Sequence, residues 1–278
     1  MVEEAIYRFN RAIIDATHDL VCAYKTNIAF YEAYGTAGIS ALVRTINYIH
    51  RHAPKIPVIL DAKRGDIANT NLGYVTSAFD VFNADAVTVS PYVGQEALQP
   101  FFECKSKGIF ILCKTSNPGA GEFQDRMVEL SLEEATYLGI ACRSAWGTGR
   151  DNSDGDPGLY WEIPSIPFYQ FMAYRVARHW NNNNNCGLVV GATYPRDLNE
   201  VRRIVGNMPI LIPGIGTQDG ELAATVIAGI DNKRQGIIVN ASRSIIFASK
   251  GIDFADAARK KTEKLQNEIN HIISGVIR

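Results

Sequence analysis

Seven short apolar runs, several rich in β-branched residues, punctuate the chain at 21–27, 56–63, 86–92, 109–116, 186–193, 210–216 and 236–242. Segments of helical periodicity lie between them, at 38–52, 71–82, 95–106, 166–180, 197–205 and 219–229. Strands alternating with helices form parallel βαβ units, which restricts the fold to a parallel sheet. The runs are almost continuously apolar, so both faces of the sheet must be covered, by flanking helices or by closure into a barrel. Polar and glycine residues gather where the runs end: Lys25 and Asn27, Asp61 and Lys63, Ser90, Ser116, Thr193, Gly214 and Gly216, Ser242 and Arg243. A (β/α)8 (TIM) barrel builds its active site on that face, and this is the α/β fold expected here.

The strand count is one short of eight. Residues 3–18 open the chain as a helix-like segment with Ile6, Phe9, Ile13 and Ile14 on one stripe, and no strand precedes it. The expected barrel therefore lacks its first strand, and either the natural start lies upstream of Met1 or another element plugs the gap. The chain reads as one domain over 1–278 with a surface insertion around 122–160, where a short helix is expected near 127–145 before a polar stretch rich in Gly and Asp. Such an insertion is a surface excursion or a lid over the site. The run Asn181–Asn185 reads as a loop without chemistry, and 253–277 as a closing helix.

Within this frame, Val58-Ile59-Leu60-Asp61-Ala62-Lys63-Arg64-Gly65-Asp66-Ile67 sets charge at the mouth of an apolar strand. Period-two alternation brings Asp61 and Lys63 out on one face. Asp66 follows a glycine that can bend the backbone, so its carboxylate can turn back toward the lysine or reach a neighbouring subunit. Carboxylate, ammonium and carboxylate in alternation suit proton delivery; the plain alternative is a solvated ion pair that stabilises by about 0–1 kcal/mol.

A formal net charge of −1 and a pI near 6.5 give no general attraction to nucleic acid or to an anionic membrane, so an anionic small molecule would need its own pocket. One is suggested by Pro213-Gly214-Ile215-Gly216-Thr217-Gln218 and, after the next run, Asn240-Ala241-Ser242-Arg243-Ser244. Glycines let backbone N–H groups approach an oxyanion, Arg243 can fork onto phosphate oxygens, and the last two strands of such barrels recurrently hold phosphate. Five cysteines (22, 104, 113, 142 and 186) without CxxC spacing fit reduced thiols in a cytoplasm, with Cys22, Cys113 and Cys186 expected in the core. No histidine spacing suggests a metal site. No signal peptide and no apolar run of about 18 residues appears, so a cytoplasmic protein is expected.

Six motifs, VCAYKTNIAFYEAYG (21–35), DAKRGDIANT (61–70), TSNPGAG (115–121), LVVGATYP (188–195), IPGIGTQ (212–218) and NASRSII (240–246), make the chain resemble the orotidine 5′-monophosphate decarboxylase family, in its longer bacterial-type branch. The aspartate-lysine-aspartate spacing alone belongs to a wider phosphate-sugar superfamily; Lys25 and TSNPG narrow it to the decarboxylases. The resemblance implies conversion of orotidine 5′-monophosphate to UMP without a cofactor or metal. It implies catalysis by Lys25, Asp61, Lys63 and Asp66, in a homodimer that shares Asp66, Ile67 and Thr70 across its interface. It further implies Ser116 on the pyrimidine ring, Pro118 beside it in the substrate-binding segment, Gln218 in the phosphate-end loop, and Arg243 with the Gly214 and Gly216 backbone on the 5′-phosphate. The family's first strand ends in a Leu-Asp-Pro type motif that nothing before Val21 matches.

Loss of CO2 from C6 leaves an electron pair in the ring plane with no adjacent sink, so stabilisation must be electrostatic; Lys63 is expected to supply the field and then the proton. Two rivals remain: a superfamily relative using Mg2+ or a Schiff-base lysine, the latter disfavoured by the carboxylates around Lys63, and a nucleotide-binding barrel without turnover.

Overall fold

The computed structural model describes residues 1–141, 144–146, 159–161, 163–215 and 219–276. All seven expected strands form. They are β1 (Tyr24–Asn27), β2 (Val58–Arg64), β3 (Ala86–Val89), β4 (Gly108–Lys114), β9 (Cys186–Val190), β10 (Ile210–Pro213) and β11 (Ile237–Asn240), and they pair in that order. Every pairing is parallel, with registers such as Lys25↔Ile59, Val87↔Ile109 and Leu211↔Ile238. The result is a nearly closed (β/α)8-type barrel.

Period two sorts the core into two layers. Ile59, Ala86, Phe110, Val189 and Leu211 meet on one face of the sheet. Val58, Leu60, Val87, Ile109, Ile111, Leu188 and Ile210 join the larger cluster with helix residues Leu42, Ile46 and Ile49. All three lie on α3 (Gly35–His52); the other helices around the sheet are α4 (Ala68–Val75), α5 (Gln95–Phe102), α8 (Phe168–Arg175), α9 (Pro195–Val205) and α10 (Asp219–Gly229), with the short α2 (Ile28–Glu32) after β1.

β1 and β11 end the sheet and do not pair with each other. Two further helices, α1 (Val2–Thr17) and α12 (Phe254–Gly275), pack on each other beside this opening. Phe9 stacks on Phe254 at 5.0 Å, and Arg259 donates to both carboxylate oxygens of Asp19 at 2.7 and 2.8 Å. They leave a cavity of about 1130 Å³ lined by residues including Ile6, Phe9, Ile13, Ile238, Leu265 and Ile269.

The insertion departs from expectation. Its helix is confined to α7 (Leu132–Tyr137), with Ser131 and Glu134 forming a reciprocal cap, after the short α6 (Gly121–Gln124). β5 (Met127–Glu129) pairs antiparallel with β8 (Ser165–Pro167), setting Val128 opposite Ile166, which buries against Leu130 and Ala135. β6 (Ser144–Trp146) pairs with β7 (Leu159–Trp161). The asparagine run is a turn, but its amides work as staples: Asn183 and Asn185 donate to the carbonyls of Phe102, Cys104 and Lys107. Cys113 and Cys186 are buried, whereas Cys22 is exposed ahead of β1, where the chain has not yet entered the sheet; Cys142 lies outside the described residues.

Candidate active site

β1 and β2 deliver the central charges. Asp61, 8% exposed, takes Lys25 Nζ on one oxygen at 2.6 Å and Lys63 Nζ on the other at 2.5 Å. Burial pushes its carboxyl up, but the two ammonium groups outweigh this and hold it below the ordinary carboxylate value. The Lys25 side chain is nine-tenths buried, while half of the Lys63 side chain is exposed, so one ammonium holds the carboxylate and the other is presented to the mouth.

Simple alternation does not produce this geometry. The β2–β3 register shifts between Leu60 and Arg64, and Lys63 sits at φ +47°, a left-handed conformation that non-glycine residues rarely adopt. A residue that the sequence reading passed over, Thr88 on β3, holds it. The Thr88 hydroxyl accepts from the backbone N–H of Ala62 at 3.0 Å and of Lys63 at 2.9 Å, and donates to Asp61 at 3.0 Å. A hydroxyl inside an otherwise apolar run, facing the strand that carries the charges, was the available signal.

Asp66 does not turn back to Lys63. It forms no ion pair among the described residues; its carboxylate accepts from the Ile67 N–H at 2.7 Å, and fully buried Asn71 ties down its backbone, accepting from Asp66 N and donating to Asp66 O and Ala97 O. Gly65 serves close approach: a Cβ there would lie 2.8 Å from the Ser90 carbonyl oxygen. Ile67, 66% exposed, and Thr70 face outward.

At the other end of the mouth, Ser116 and Pro118 are exposed in the loop after β4, which Gln124 clasps by accepting from Thr115 N at 2.9 Å. Ser116 backs onto Gly191, where a Cβ would meet the Ser116 Cβ at 2.8 Å, and lies beside Gly214, which has φ +98°. Arg243 is exposed at the start of α11 (Arg243–Ile246) and lines the same cavity as Lys25. Gly216 and Gln218 lie outside the described residues. Among the described residues, no three His, Cys, Asp or Glu side chains are grouped as metal ligands, and no helix is long and apolar enough to cross a membrane.

Comparisons with known proteins identify the family. Residues 5–149 match the model of the orotidine 5′-phosphate decarboxylase / HUMPS family. The chain is 43% identical over 267 residues to orotidine 5′-phosphate decarboxylase of Cellvibrio japonicus, covering 96% of this chain and 84% of that one. It is also 43% identical to that of Roseiflexus castenholzii, over 98% and 86% of the two chains. The chain belongs to the orotidine 5′-phosphate decarboxylase family. The structure of Leishmania donovani OMP decarboxylase superposes with a TM-score of 0.77 at 34% identity, over 99% of this chain and 90% of that one. Membership makes the chain a carboxy-lyase and supports decarboxylation of orotidine 5′-monophosphate to UMP in pyrimidine synthesis.

Proposed function

We propose that the chain carries out this decarboxylation without a cofactor, with Lys63 as proton donor. The observation that carries the reading is one buried carboxylate gripped by two ammonium groups, one of them open to the mouth. As the C6–carboxylate bond breaks, CO2 departs and its electron pair stays on C6; the Lys63 ammonium stabilises that charge and transfers its proton to C6, and the resulting amine is reprotonated from solvent. A charge fixed in advance needs little reorganisation as the reaction proceeds, which is the main source of such stabilisation. Asp61 and Lys25 keep the ammonium in place.

The remaining groups bind. Ser116, with Pro118 beside it, takes the pyrimidine, and Arg243 takes the phosphate with the backbone of Gly214 and Gly216 and the Gln218 loop. Phosphate binding far from C6 supplies energy that is realised in the transition state. Asp66, Ile67 and Thr70 complete the partner's site in a homodimer, a role consistent with an Asp66 that leaves Lys63 alone and an Ile67 that points outward.

Mixing two inactive variants tests both parts. Lys63→Ala and Asp66→Ala homodimers are each expected to lack turnover, while an equal mixture allowed to exchange subunits recovers about a quarter of wild-type activity, because half of the dimers are hybrid and each has one intact site. No recovery in demonstrated hybrids contradicts the shared site, and a fully active Lys63→Ala contradicts the proton donor.

A further inference from the structure

We infer that Thr88 is a positioning residue that sets the Lys63 ammonium, a role that rests on the decarboxylase reading above. Its side chain is 1% exposed, and every hydrogen-bonding capacity of its hydroxyl is committed. A hydroxyl has one proton to give and two lone pairs. The Ala62 and Lys63 N–H groups can only donate, so both lone pairs are taken and the one proton must go to Asp61. One oxygen thus fixes the backbone on both sides of Ala62 and the carboxylate that Lys63 contacts. The left-handed Lys63 backbone would otherwise relax, and among the described residues its half-exposed side chain has only Asp61 to hold it. Thr88 itself does not touch the substrate in this account, so its removal acts on the chemical step and leaves nucleotide binding in place.

The test compares T88V, which keeps shape and removes the hydroxyl, with T88A and with T88S, which restores it, measuring OMP turnover and UMP affinity. T88V and T88A are expected to lower kcat about 10- to 100-fold, the size of a lost hydrogen bond to a charged group, with UMP affinity within about threefold of wild type. T88S is expected to stay within about threefold in kcat, and T88V added to Lys63→Ala to cause no further loss. Wild-type kcat in T88V or T88A, or a T88S as slow as T88V, overturns the inference, as does a loss of UMP affinity that matches the loss of kcat. Where T88V does not fold, T88A and T88S decide the matter. A wild-type protein without OMP turnover, or turnover independent of Lys63, instead sinks the decarboxylase reading on which the role rests.

Discussion

Two lysine–carboxylate clusters stand at the C-terminal ends of barrel strands, and they expose opposite charges. At the end of β4, Lys114 is 2% exposed, paired with Asp125 and 3.9 Å from Asp197, with the rings of Tyr169 and Tyr194 at 5.1 and 5.5 Å from its ammonium. At the end of β2, Lys63 pairs with a buried Asp61 and leaves half its own side chain open. In the first cluster the cation is buried and a carboxylate, Asp125, is half exposed; in the second the carboxylate is buried and the cation is available. A lysine meant to act on a ligand needs its anchor sealed and its ammonium free, whereas Lys114, tied to the segment that follows Ser116, fastens a loop.

The contrast can be broken by exchanging which property each lysine controls. Lys63→Met is expected to lower turnover by about a thousandfold or more while leaving the thermal midpoint nearly unchanged, measured by OMP absorbance and calorimetry. Lys114→Met is expected to do the reverse. Its chemistry should survive at low temperature, while stability falls by about 2 kcal/mol in urea unfolding, less than for a fully buried pair because Asp125 can turn to water. Similar turnover losses in the two variants would erase the distinction.

Gly191→Ala sharpens it further. The added methyl would lie 2.8 Å from the Ser116 Cβ and 3.0 Å from its N, so Ser116 must move although Lys114 keeps its partners. KM for OMP is expected to rise about tenfold, with a cost of about 1–2 kcal/mol in stability.

The smallest effect is acid-dependent. Because the folded Asp61 pKa is lowered, its contribution to stability is present above the ordinary carboxylate value of 3.8 and is lost as pH falls through the lower folded value. The stability difference between wild type and Asp61→Asn, followed by urea unfolding, should therefore narrow as pH falls below about 5. A difference that widens on acidification would mean that the ammonium groups do not govern this carboxylate.

The barrel was legible because its strands are short, almost continuously apolar runs that alternate with helical segments, so local pattern and tertiary burial agree. Lys25, Asp61 and Lys63 were legible for the opposite reason, as charges where an apolar run stops. Thr88, Asn71 and Gly191 were harder to read, since each acts through contacts to a neighbouring strand, helix or loop that only the folded chain brings together. Arg202 shows the same limit. It lies in the helical segment 197–205, yet it is buried, with its pKa lowered to about 10 by that burial, and donates to the carbonyls of Gly206, Met208, Gly229 and Gly236. The short strand at Met127–Glu129 escaped because three residues carry too little periodicity to compete with a helical reading of their neighbours.

The most direct test follows the ultraviolet absorbance of orotidine 5′-monophosphate with the purified protein, with and without a chelator. The account predicts loss of the substrate signal with stoichiometric UMP, at the same rate in both arms. Turnover abolished by the chelator and restored by a divalent cation, or no UMP formed by protein that binds UMP, would contradict a site in which the Lys63 ammonium acts without a metal.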